Sequence, residues 1–272
     1  MADSVRQQKN ERIKIWLDQL YLQYHRREWI GTDPIKFVHQ YSDPLDQELI
    51  GLIAASLAYG NVTSINVSIQ RVLDRMELHP RAFLESASPG DIRKAFKGFR
   101  HRWTDDVAMA DLLTDMQGMV KEHGSLGALF AALDKPGNDL MDTLGRWVAR
   151  LQAGRKTRSK ELLSDPKRNS ACKRLHLYLR WMVRKDEIDL GCWKGISPAR
   201  LMIPLDTHVF GIATACGFTR RKVANGETVR EITDSLRAIC PEDPIRYDFA
   251  LTRPGIIDGW KPGRTAPWVK NS

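Results

Sequence analysis

Residues 173–184 read KRLHLYLRWMVR, and the fold class turns on how they are taken. Leu175, Leu177, Leu179 and Trp181 alternate as in a half-buried strand, whereas Leu175, Leu179, Met182 and Val183 recur at the i, i+4, i+7 and i+8 spacing of a helix. The surrounding segments decide between the two. Residues 43–59 open on an Asp cap and continue through Leu49, Ile50, Ile53, Leu57 and Ala58, apolar nearly all round, which is the pattern of a buried helix. Segments 63–76, 106–120, 139–151 and 227–239 read as further helices, and strand candidates are scarce. Residues 171–184 are therefore read as a helix and the whole chain as all-α.

The 272 residues suffice for one compact unit with a sizeable core. We expect two helical lobes around an interlobe cleft, one spanning 43–150 and the other built from 1–42 and 151–260, with 261–272 as a C-terminal tail. A content of 42% hydrophobic and 28% charged residues excludes a disordered or fibrous chain. No apolar run approaches the roughly 18 residues that a membrane span requires, and the opening residues are polar, so a cytoplasmic monomer without membrane contact is expected. Cys172, Cys192, Cys216 and Cys240 form no C-x-x-C pair. Neither a zinc ribbon nor an iron–sulfur loop is indicated, and no metal or cofactor is expected.

Lys and Arg exceed Asp and Glu by 42 to 33, a formal charge of +9. The excess is concentrated. Between residues 151 and 185 stand eleven cations, among them Arg155, Lys156, Arg158, Lys167, Arg168 and Arg174, against Glu161 and Asp165 alone. Such a stripe can neutralise several phosphates, and the aromatic residues within it could stack on bases, although a solvated helix face is the plainer explanation. A turn at 162–166 precedes Asn169 and Ser170, which are expected to cap the helix carrying Lys173 and so leave a helix N-terminus ready for phosphate.

Downstream, PLDTHVF at 204–210 places Asp206 after a proline and before a helix, where an N-cap role accounts for it. The order of a basic helix with Lys173, then PLDTHVF, then Pro241-Glu242-Asp243 and a closing helix at 247–251 before Gly255-Ile256 resembles the helix-hairpin-helix superfamily of DNA base-excision glycosylases. Residues 48–61 are similar to the buried helix and wedge turn of that superfamily, with Asn61 at the wedge. The blocks KRLHLYLRWMVR and PLDTHV also resemble a bacterial family of unassigned function. The chain departs from the superfamily pattern where Leu163-Ser164-Asp165-Pro166 replaces a glycine-bearing hairpin turn and Gly211 stands where an arginine is common.

The resemblance implies a two-lobed glycosylase fold, and duplex DNA with a damaged base, such as an oxidised purine, as partner. It places Asp206 at the catalytic carboxylate, which would stabilise positive charge on the sugar, and Lys173 at the Schiff-base nucleophile, beside Arg174 and Lys167, which disfavour a further positive charge. Arg155, Lys156, Arg158, Lys167, Arg168, Ser170, Arg174 and Asn61 would hold the backbone, and Trp181, Trp193 and Asp248 would line a pocket for an extruded base. The alternatives are core positions for both tryptophans, a structural hydrogen bond for His208, and a noncatalytic DNA- or RNA-binding protein that keeps the fold.

Overall fold

Helices carry nearly all the regular structure in residues 2–135, 137–153, 157–257 and 259, which are those described in this computed structural model. In chain order they are α1 (Ala2–Tyr24), α2 (Ile35–Val38), α3 (Pro44–Leu57), α4 (Val62–Arg75), α5 (Pro80–Ser86) and α6 (Pro89–Phe96). A short hairpin, β1 (Arg100–His101) and β2 (Thr104–Asp105), leads into α7 (Asp106–His123), α8 (Leu126–Leu133) and α9 (Leu140–Leu151). Then come α10 (Lys173–Val183), α11 (Thr207–Ala215), α12 (Gly226–Arg237) and α13 (Asp248–Ile257). The chain is all-α apart from that hairpin, in which Arg100 pairs with Asp105 and His101 with Thr104 in antiparallel register. The tail at 261–272, together with Arg155 and Lys156, lies outside the described residues.

The helix starts follow from short polar side chains that satisfy otherwise orphaned N–H groups. Asp43 accepts from Leu45 N at 2.8 Å with Pro44 in the first turn of α3. Ser88 and Asp91 form a reciprocal capping box on α6. Asn61, Asp105, Ser125, Asp139, Asp206 and Asn225 cap α4, α7, α8, α9, α11 and α12.

Helix α3 is buried on every side from Glu48 to Leu57 and packs against α2, α4, α5, α8 and α10. Helix α10 crosses it closely: a Cβ on Gly51 would come within 2.8 Å of Met182 Cε and 3.2 Å of Tyr178 Cε2, so a larger residue there would displace the end of the Met182 side chain. Residues Leu175–Val183 of α10 are likewise all buried, which is why their apolar pattern fits both periods. A helix enclosed all round needs no polar face, so strand-like alternation carries no information there. At the chain ends, α1 and α11 both pack on α13. Helix α13 continues to Ile257 through Pro254 and Gly255, further than the sequence pattern suggests. Gly255 is held against His208, whose Nδ1 would lie 2.6 Å from a Cβ there. Among the described residues no helix is long and apolar enough to cross a membrane.

Candidate functional site

A cleft of about 220 Å³ opens where α10, α11 and α13 meet the corner between α3 and α4. Lys173, Leu177 and Arg180 face it from successive turns of α10, the spacing that brings side chains to one helix face. Asp206 and His208 enter from the start of α11, and Asp248 from the start of α13. Lys173 and Asp206, 33 positions apart in the chain, thus line one cavity.

Asp206 spends one carboxylate oxygen on its helix, where Oδ1 accepts from Val209 N at 2.8 Å. The residue is half-buried and lines the cleft. The inner wall is a buried charge network. Arg180 donates through Nη1 to Asp248 Oδ2 and through Nε to Asp189 Oδ1. Arg184 pairs with Asp189, Asp186 and Asp243, and Arg253 with Asp33 at 3.1 Å while its guanidinium lies 3.9 Å from the Phe249 ring centroid. Burial pushes the Asp248 carboxyl up to about 6, reinforced by repulsion from Asp206 and opposed by Arg180. Among the described residues Arg180 Nη2, Asp248 Oδ1 and His208 Nδ1 are buried without a hydrogen-bond partner. All three residues line the cleft. Buried polar atoms are normally paired, so three spare ones around one cavity mark it as a place for a polar ligand. The structural hydrogen bond expected of His208 is not made by Nδ1.

The basic segment is distributed differently from its sequence. Lys167 and Arg168 are exposed and available to solvent anions, with Asp165 3.9 Å from Arg168. Arg174 points inward instead. It donates to Ser56 O at 2.8 Å and Glu161 O at 3.2 Å, its guanidinium lies 5.2 Å from the Tyr59 ring centroid, and burial lowers its pKa. A side chain so engaged has no reach left for backbone phosphate. Arg158 is tied to Glu161 and Asp105, so its charge is largely answered within the protein. Asn169 and Ser170 do not cap α10. Asn169 Oδ1 accepts from Glu227 N at the start of α12, and Ser170 pairs with Asn225, while α10 follows a left-handed Cys172 (φ 44°) with no side-chain cap. Asn61 is exposed and caps α4 beside Gly60, which lines the cleft.

Trp181 and Trp193 do not line this cleft, contrary to their expected pocket role. Trp181 is fully buried in the core. Trp193 donates from Nε1 to Glu48 Oε2 at 3.0 Å and packs among Phe130, Trp147 and Tyr178. Glu48 in turn accepts from Leu126 N and Gly127 N at the start of α8, and burial raises its carboxyl pKa against those three hydrogen bonds.

Sequence reasoning missed Arg180, Arg253, Asp33 and Tyr59, and the hairpin beside them. Tyr59 lines the cleft and donates its hydroxyl to His101 O at 2.9 Å, with Thr104 Oγ1 2.6 Å away. Arg180, an arginine set between the apolar residues Leu179 and Trp181 of α10, was the available signal for the first of these.

Residues 33–257 match the model of a family described as a protein of unknown function, DUF2400. No curated protein and no solved structure matches the chain.

Proposed function

The chain belongs to the DUF2400 family, and from its cleft we propose that it is a DNA base-excision glycosylase with abasic-site lyase capacity. The observation carrying this reading is that Lys173 and Asp206 open on one cavity from two different helices. An extruded base would enter past Gly60 and rest against the Arg180–Asp248 wall, so that the sugar lies toward Lys173 and Asp206. The spare Arg180 Nη2 is a donor and the spare Asp248 Oδ1 an acceptor. Together they complement a ring edge that offers a carbonyl beside an N–H, the edge that oxidation adds to a purine.

In the chemical step the C1′–N bond breaks and the base departs with its electron pair, taking a proton from the Lys173 ammonium. Positive charge grows on the sugar, and the Asp206 carboxylate stabilises it. The Lys173 amine left by that transfer forms the new bond to C1′ and passes a second proton to the Asp206 carboxylate. Ring opening, with Asp206 returning that proton to O4′, leaves a protonated imine between Nζ and C1′; the Asp206 carboxylate then takes a proton from C2′, and the C3′–O bond breaks as the 3′ phosphate leaves with its electron pair.

Single-turnover incubation with duplexes carrying one oxidised, deaminated or alkylated base tests the reading. Release of free base, together with a borohydride-stable protein–DNA adduct, is the expected result. Lesion binding without release from any duplex would make the protein a noncatalytic binder and overturn the proposal.

A further inference from the structure

We propose that the β1–β2 hairpin is a base-stacking platform at the mouth of the cleft, with Trp103 as the ring on which an unpaired DNA base rests. This rests on the DNA reading above and adds to it a second binding site on residues outside the cavity.

Three observations carry it. Trp103 is 54% exposed at the turn of the hairpin, although an indole is among the side chains most favoured for burial. Its ring is stacked on Tyr59 at 4.0 Å and 19°, and Tyr59 is itself a cleft-lining residue with the Arg174 guanidinium 5.2 Å from its centroid. A continuous column of π systems therefore runs from the cleft wall to solvent. The column is also rigid. His101 is buried, accepts at Nδ1 from Ser68 Oγ at 2.9 Å and donates from Nε2 to Tyr59 O at 3.1 Å. Thr104 is buried against the Tyr59 hydroxyl, and Asp105 caps α7.

The turn is held at a cost. Arg102 adopts a left-handed conformation (φ 52°), which side chains other than glycine rarely occupy. Its side chain lies against Gly60, whose φ of +96° favours glycine and where a Cβ would come 2.8 Å from Arg102 Cδ. The Arg102 guanidinium lies 5.3 Å from the Trp103 centroid. Arg100 and Arg102 are exposed, and neither has a carboxylate partner among the described residues. An exposed indole with two unanswered cations suits a nucleobase and its phosphates; an apolar protein partner would leave both charges buried and unpaired.

The test measures anisotropy of a labelled duplex, carrying one abasic analogue with 2-aminopurine opposite it, on titration with the full chain. The wild type should bind and quench the 2-aminopurine. Trp103→Ala should weaken binding roughly five- to hundred-fold and abolish the quenching, and Trp103→Phe should retain most of both. Circular dichroism checks that the hairpin change leaves the fold intact. Wild-type affinity and quenching in Trp103→Ala would overturn the platform while leaving the glycosylase reading in place. A wild type that binds no duplex would overturn both. Equal or tighter Trp103-dependent binding to single-stranded RNA of the same sequence would overturn the assignment to DNA.

Discussion

Lys173, the first residue of α10, and Asp206, the cap of α11, line one cleft from two helices that approach only in the folded chain. Both leave a reactive group available. Asp206 uses Oδ1 alone for its helix, and Lys173 has no carboxylate partner among the described residues. A cap must point back over its helix start, so the cap geometry itself fixes the carboxylate at the cavity wall.

Asp206→Asn separates these roles. Asparagine caps helices about as well as aspartate, so the melting temperature should change little and DNA binding should persist. Removing the charge should slow single-turnover base release by about 10²–10³-fold, the usual cost of deleting an electrostatic contact to a charged transition state. Wild-type release from a folded Asp206→Asn protein would remove the carboxylate from the mechanism.

Lys173→Gln addresses the nucleophile. Borohydride should trap a covalent complex in the wild type and none in Lys173→Gln, which should still bind the lesion duplex. Persistence of the adduct assigns the nucleophile to another lysine. Base release without any trapping in the wild type instead makes the protein monofunctional, with Asp206 activating water.

The helical class was legible because α3, α4, α7, α9 and α12 carry caps and sustained apolar spacing within a few residues of their observed ends. The hairpin was not, since two-residue strands fall below the length at which alternation can be recognised. Charge density was legible, but its direction was not. Arg180 and Arg184 read in sequence as part of a basic stripe, yet both are buried against aspartates, Arg180 against the distant Asp248 and Arg184 against the nearby Asp189 and the distant Asp243. Asn169 misled for the same reason: it precedes α10, but its Oδ1 accepts from Glu227 N in the first turn of α12, 58 positions away, and only tertiary structure decides which helix receives it.

The cations of the basic segment should therefore differ in their salt response. Lys167→Gln and Arg168→Gln should each make the dependence of log K on log salt shallower by about 1 if each contacts a phosphate. Arg158→Gln should leave that slope unchanged and lower the melting temperature, because its guanidinium is committed to Glu161 and to Asp105, the cap of α7. A slope change for Arg158→Gln equal to that for Lys167→Gln would show that the ion pairs open on binding.

His176 predicts an acid sensitivity with a defined window. It is buried in α10, and among the described residues neither ring nitrogen has a hydrogen-bond partner. Burial, reinforced by Arg230 and opposed by Asp139, holds its pKa down to about 4. The unfolded chain takes up a proton near pH 6.5 while the folded chain does not until about 4, so this group withdraws stability progressively as pH falls between those values. Above pH 6.5 both states are neutral and it contributes nothing to the pH dependence. The full loss corresponds to about 3 kcal/mol at about 1.4 kcal/mol per pKa unit. Leucine is close to histidine in volume and cannot be protonated, so His176→Leu should match or exceed the wild type at pH 7.5 and surpass it increasingly toward pH 4.5. Urea midpoints of both proteins across that range measure the difference, which cancels the titration of Asp248 and the other carboxylates common to both. Parallel pH profiles would show that the buried imidazole accepts its proton in the folded state.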